Sequence, residues 1–116
     1  DRQSVDRRQQ VRVPPDRPAY TLKRVWLSAG EVENYYHGYS NHVLWPLCHI
    51  ALERIYFRKK YWEDYVSANR KFAEAVAGES SGSDIVWIHD YHLALLPAML
   101  REIHPKLTLG HFWHVP

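Results

Sequence analysis

Residues 84–92 read Asp84-Ile85-Val86-Trp87-Ile88-His89-Asp90-Tyr91-His92, an apolar run that follows Gly82 and Ser83 and breaks abruptly into polar groups. β-Branched and aromatic residues bounded in this way read as a buried strand that delivers its last side chains to a sheet edge. Residues 93–103 then space their apolar positions as a helix does, with Leu93, Leu96, Met99, Leu100 and Ile103 on one face. Pro97 falls in the first turn, where its missing N–H costs little, and Pro105 stops the helix. Residues 107–114 are apolar and strand-like again. A strand-helix-strand unit with parallel strands follows, which places the chain among α/β proteins with a Rossmann-like parallel sheet and flanking helices. Ligands of such sheets bind beyond the carboxyl ends of the strands. His89 and Asp90 stand there on the first strand, and His114 on the second.

Before this unit, residues 60–77 form the clearest helix. Trp62, Tyr65, Val66, Asn69, Phe72, Ala73 and Val76 share one face, while Glu63, Asp64, Arg70, Lys71 and Glu74 lie largely elsewhere. Asn69 on an apolar stripe needs partners if buried, and it reads as a structural residue that holds a neighbouring loop. Residues 78–83 make a Gly/Ser linker into the central strand. Earlier still, Tyr35-Tyr36-His37-Gly38-Tyr39-Ser40-Asn41-His42-Val43-Leu44-Trp45-Pro46 gathers aromatics around a glycine. Gly38 is expected to turn the chain, Ser40 or Asn41 to cap a following helix, and Pro46 to kink or restart it. Ser28, with Glu31 three residues on, has the form of a capping box for a short helix ending near Tyr36. Residues 20–27 alternate loosely as a strand. Residues 1–18 carry five Arg and three Pro and read as a solvated lead-in, with anion binding as the alternative.

The 116 residues are 46% hydrophobic and 14% aromatic, enough for a real core in one domain or a piece of one. With 15 basic and 13 acidic residues there is no basic stripe that would call for nucleic acid, and no apolar run long enough for a membrane span. A soluble, cytoplasmic protein is the expectation. Cys48, the single cysteine, sits between apolar neighbours and reads as a core thiol. The chain opens on Asp1 and stops directly after a strand end, so a fragment is expected.

Several side chains admit two readings. Tyr36 and Trp45 suit a sugar-binding surface, since the apolar face of a pyranose stacks on a ring, and they equally suit a core. Asp90 can accept charge-assisted hydrogen bonds from sugar hydroxyls, or it can cap a loop. His114 can donate to a hydroxyl or a leaving phosphate, or be a satisfied core histidine. His89 and His92 straddle a junction without a third ligand, so no metal is expected. No Asp-x-Asp pair and no Gly-rich phosphate loop occurs, and no cofactor is called for.

Four stretches, Tyr35 through Pro46, the Trp62, Tyr65, Asn69, Phe72, Ala73 helix, Val86 through Leu93, and Phe112-Trp113-His114-Val115-Pro116, together resemble the trehalose-6-phosphate synthases of glycosyltransferase family 20. They stand in that family's order and spacing. The resemblance implies a two-domain GT-B fold, with residues 20–116 a partial acceptor-binding N-terminal domain, residues 1–19 a polar lead-in or loop, and the donor-binding domain absent. It implies a retaining transfer of glucose from a nucleotide-diphosphate glucose such as UDP-glucose to glucose 6-phosphate, giving trehalose 6-phosphate. By the same resemblance, Tyr36 and Trp45 line the glucose-6-phosphate site, Asp90 contacts the acceptor sugar, and His114 lies at the donor sugar near the reacting centre. The two substrates are the implied partners, and homo-oligomerisation is left open. Two alternatives stand beside this. Leu-Cys-His-Ile at 47–50 and Phe-Trp-His-Val at 112–115 look like a branch that includes glucosylglycerol-phosphate synthases, and a truncated copy would be a binding module without catalysis. Residues 1–116 alone are expected to be inactive.

Overall fold

A computed structural model describes residues 10–116. Strands β3 (Ile85–His89) and β4 (Thr108–Phe112) pair in parallel, with Ile85 opposite Thr108 and His89 opposite Phe112. Between them the chain makes a 3₁₀ turn at Tyr91–Leu93 and helix α4 (Leu96–Ile103), with Pro97 in the first turn as its missing N–H allows. Helix α3 (Lys59–Glu79) packs on the same side of the sheet as α4. Ile88 of β3, Leu96, Met99 and Leu100 of α4, and Ala73 of α3 form the buried cluster, flanked by Val86, Leu109, Phe72 and Val76. Each fully buried Leu or Ile there is worth about 1.5–3 kcal/mol, so this layer holds the sheet to its helices. The linker is shorter than the sequence suggests: α3 runs to Glu79, and Asp84 then accepts from Ser81 N–H and Oγ to close the turn into β3.

The opposite face of the sheet is open. Ile85 and Trp87 are among the most exposed large apolar residues, and the Trp87 ring lies over Gly110 on the paired strand. A Cβ at Gly110 would meet that ring at 2.5 Å, so glycine is what lets the indole lie flat there.

Before α3 the chain departs from expectation. Ser28 does cap a helix with Glu31 in a reciprocal box, starting α1 (Ala29–Glu31). That helix does not end near Tyr36. It continues as a π-helical run, Val32–Leu44, and then as α2 (Trp45–Cys48) with Pro46 in its first turn. Gly38 therefore makes no turn, and Ser40 caps nothing. Ser40 Oγ instead donates to Tyr35 O at 2.8 Å, five residues back, the same offset at which Trp45 N–H donates to Ser40 O. Gly38 is needed for a different reason: the ring of Tyr61 on α3 lies where its Cβ would be, 2.6 Å away. The change from π to α pairing falls at Trp45 and Pro46, where a restart was expected.

Two further corrections concern faces and ends. Asp64 is buried on α3, accepting from Asn34 Nδ2 and Lys60 Nζ at 2.7 Å each, while Trp62 on the expected apolar stripe stays partly exposed, packed on Tyr39 and Tyr65. Residues 10–13, read as lead-in, form strand β1 (Gln10–Val13), which pairs antiparallel with β2 (Tyr20–Lys23), so a boundary at residue 19 cuts a hairpin. Its alternation, Gln-Val-Arg-Val, is too short to stand out before its partner is known. Arg2, Arg7 and Arg8 lie outside the described residues, and Arg12 and Arg17 are exposed. Cys48 is half-buried and free. Among the described residues, no helix is long and apolar enough to cross a membrane.

Candidate functional site

The edge at the carboxyl ends of β3 and β4 is built around Asp90. Its backbone sits at φ 66° and ψ 177°, a region that essentially only glycine occupies and that costs a side-chain-bearing residue about 1–3 kcal/mol. Three main-chain bonds hold it there. Asp90 N–H donates to Phe112 O at 2.7 Å, and Asp90 O accepts from Leu93 N–H at 3.3 Å and from His111 Nε2 at 3.0 Å. Because a carbonyl only accepts, Nε2 of His111 carries the proton in that bond. The carboxylate accepts from Tyr91 N–H at 3.0 Å, so the capping role is present. No other donor among the described residues bonds it, which leaves acceptor capacity at the edge.

The loop that follows is held from α3. Tyr65 Oη donates to Tyr91 O at 2.6 Å and accepts from Ala94 N–H at 3.2 Å. Asn69 Nδ2 donates to Tyr65 O and to His92 O, and its Oδ1 accepts from Leu95 N–H. This is the loop-holding role expected of Asn69. Burial pushes the Tyr65 hydroxyl up to about 12, only partly offset by its bond from Ala94, so it stays a neutral donor. Burial likewise raises the Tyr91 hydroxyl, with Asp90 adding to the shift, and that hydroxyl donates to Asn41 Oδ1 at 3.3 Å.

On this frame the aromatic residues meet. Tyr36 stacks on His92 with centroids 5.2 Å apart and planes 13° from parallel. His92 packs on Tyr91 at 4.0 Å, Tyr91 on Trp45 at 6.0 Å, and Trp45 on His49 at 4.0 Å. Tyr36 is 44% and Trp45 45% exposed, which removes the core reading of both. His114 is exposed too, with its ring 6.0 Å from that of Phe112, so it is not a core histidine. Tyr36 and Trp45 thus meet the segment directly after Asp90, at His92 and Tyr91, whereas His114 follows from the end of β4, the strand paired with β3. His89 belongs to the open face, against Trp87 and Phe112, apart from His92. Among the described residues no group of three or more His, Cys, Asp or Glu could hold a metal ion.

Tyr91 and His92 were not among the candidate site residues, His92 having been weighed only as a metal ligand. Their signal was their place directly after Asp90, yet the contacts that matter come from segments roughly 50 residues away in the chain. Chemically, exposed rings beside a carboxylate with spare acceptor capacity present a stacking surface and a hydroxyl-binding group together.

The glycosyltransferase family 20 profile matches residues 2–116. The trehalose-6-phosphate synthase of Mycobacterium avium (strain 104) is 46% identical over 95 residues, which is 82% of this chain and 19% of that protein. An α,α-trehalose-phosphate synthase (UDP-forming) from Burkholderia xenovorans, solved in complex with glucose-6-phosphate, superposes with a TM-score of 0.80. It is 30% identical over 86% of this chain and 22% of its own. A structure from E. coli bound with UDP-2-fluoro glucose superposes with a TM-score of 0.75 at 36% identity, covering 78% and 20%. The chain therefore spans about a fifth of the length of the proteins it matches. Its sheet and flanking helices are part of the N-terminal domain of a GT-B fold. With the profile running through both ring-bearing segments and both strand ends, the chain belongs to glycosyltransferase family 20.

Proposed function

We propose that this chain forms the acceptor wall of a retaining glucosyltransferase that moves glucose from a nucleotide-diphosphate glucose, UDP-glucose in the first instance, to the anomeric hydroxyl of glucose 6-phosphate. The product is trehalose 6-phosphate. The observation that carries the reading is the convergence of two half-exposed rings, Tyr36 and Trp45, on the strained strand end that presents Asp90. The relatives solved with glucose-6-phosphate and with UDP-2-fluoro glucose support a sugar phosphate and a nucleotide sugar as the two partners.

In this reading Tyr36 and Trp45 wall the acceptor pocket and Asp90 accepts from the acceptor's hydroxyls. The acceptor oxygen is thereby held on the face of the donor carbon that the diphosphate leaves, as retention requires. His114 lies at the donor sugar, where a donor N–H stabilises charge developing as the bond to the diphosphate breaks. The fixed backbone of Asp90 means that little has to reorganise when substrate arrives, which is the physical value of holding a strained residue by three bonds.

The test is to incubate the full-length protein that carries this segment with UDP-glucose and glucose 6-phosphate, following UDP release and the anomeric protons of the product. Trehalose 6-phosphate with both anomeric centres α is expected. A folded protein that hydrolyses or ignores UDP-glucose in the presence of glucose 6-phosphate, or that transfers only to glycerol 3-phosphate, overturns the assignment.

A further inference from the structure

We propose that His92 is a positioning residue for the acceptor wall, the ring that holds Tyr36 in place and ties it through Tyr91 to Trp45. The inference rests on the reading of Tyr36 and Trp45 as acceptor contacts. Among the described residues the ring neighbours of Tyr36 are His37 and His92, and those of Trp45 are His49 and Tyr91. His37 and His49 are exposed and move with the helical segments that bear Tyr36 and Trp45. Among the described residues, only the rings of His92 and Tyr91 connect the two wall residues across the fold.

His92 is suited to this by how it is fixed. Its carbonyl accepts from Asn69 Nδ2, and the main chain on either side is bonded to Tyr65 Oη, at Tyr91 O and Ala94 N–H. The backbone is thus anchored to α3, while the imidazole itself is not: Nε2 is buried and has no hydrogen-bond partner among the described residues. With no hydrogen bond from another described residue to orient it, the ring takes its plane from Tyr36 and Tyr91. Burial lowers the pKa of His92, more than Asp90 nearby raises it, which keeps the ring neutral and able to lie flat against a phenol. Tyr36 is half exposed, and among the described residues His92 is the one ring outside its own helical segment that packs against it, which fixes its orientation relative to the loop after β3.

Two variants of the full-length protein test it, His92→Leu, which removes the planar ring, and His92→Phe, which keeps a ring and removes both nitrogens. His92→Leu is expected to raise the KM for the sugar-phosphate acceptor about tenfold while leaving the donor KM within about twofold. His92→Phe is expected to return the acceptor KM to within about threefold of the parent. An unchanged acceptor KM in His92→Leu, equal rises in both KM values, or a Phe variant as impaired as the Leu variant overturns the proposal. A second measurement does not depend on the reaction: the carbon-bound ring protons of His92, identified by their loss in His92→Phe, feel the ring current of Tyr36. Tyr36→Leu is expected to move them toward unstacked values. If they stay put, the stack is absent in solution and the proposal fails whatever the substrate. If the parent protein transfers nothing to glucose 6-phosphate while these protons do shift, the functional reading fails and the positioning role survives.

Discussion

Tyr35 and Tyr36 are neighbours in the chain and belong to different worlds. Tyr35 is 6% exposed, packed on Tyr65 and Ala68, and burial drives its hydroxyl far above the ordinary phenol range. Tyr36 faces the edge on His92. The regions they belong to differ in the same way. The Tyr65 hydroxyl and both polar atoms of the Asn69 side chain are paired, and the seam between α3 and the loop after β3 is closed. Around Asp90 and His92 the backbone is strained, a buried nitrogen has no partner among the described residues, and large rings face outward. A satisfied seam stabilises, and the edge it supports keeps exposed rings and spare acceptor capacity on Asp90 that a ligand can use.

If that division holds, damage to the seam should appear as lost stability and damage to the edge as lost activity. Asn69→Leu strands Leu95 N–H and His92 O, and is expected to lower the unfolding free energy of the full-length protein by about 3 kcal/mol, measured by urea denaturation. A loss below about 1 kcal/mol would mean that the loop is held by other contacts. Asp90→Asn is expected to lower turnover about a hundredfold with saturating acceptor while changing stability by less than about 1 kcal/mol. Turnover within a few-fold of the parent would remove Asp90 from the site. Trp45→Ala and Tyr36→Phe should raise the acceptor KM about tenfold and about threefold respectively, with smaller changes for the donor. A change in melting temperature alone would move both rings into the seam's class.

Asp90→Gly sharpens the comparison further, because glycine occupies the observed φ and ψ without strain. Relief of strain, set against the lost cap and a more flexible unfolded chain, should leave thermal stability equal to the parent or up to about 1 kcal/mol higher, in a protein that no longer turns over. A clear drop in stability would mean that the backbone there is not strained. The smallest effect concerns pH. The bond from Lys71 and the capping bond from Ser28 N–H hold the Glu31 carboxyl down to about 2, and Ser67 lies within reach of it. A carboxyl depressed on folding adds stability that is complete above its unfolded value and is lost as pH falls through the folded one. The loss should therefore run from about pH 4.5 to about pH 2. At this partly exposed pair, screened by solvent on the lysine side, it amounts to about 1 kcal/mol or less, and Glu31→Gln should abolish that part of the acid dependence in denaturation curves.

Where one residue's neighbours in sequence are also its neighbours in space, the residues could be read directly. The capping box at Ser28 and Glu31, the first-turn Pro97 and the parallel unit around residues 84–114 are of this kind. Asn69 was legible because a single polar residue on an apolar stripe has to be paired. Gly38 was not, because the same residue serves a turn or a close approach, and only the ring of Tyr61 on another helix tells which. The burial of Asp64 was not legible for a similar reason: the partners that let a carboxylate be buried are Asn34 and Lys60, one of them on a different element.

The residues alone determine local geometry and the identity of the chemical groups at the sheet edge, since caps, periodicity and strand ends depend on short-range sterics and hydrogen bonding. They name Asp90, Tyr36, Trp45 and His114 as candidates without deciding between surface and core. Only the tertiary structure decides that Tyr36 and Trp45 face outward, that Asp90 is held in a glycine-like conformation from β4, and that His92 and Tyr91 together link the two rings. Burial, strain and ring stacking are set by which segments the core brings together, and that is fixed by packing over the whole chain rather than by any stretch of it.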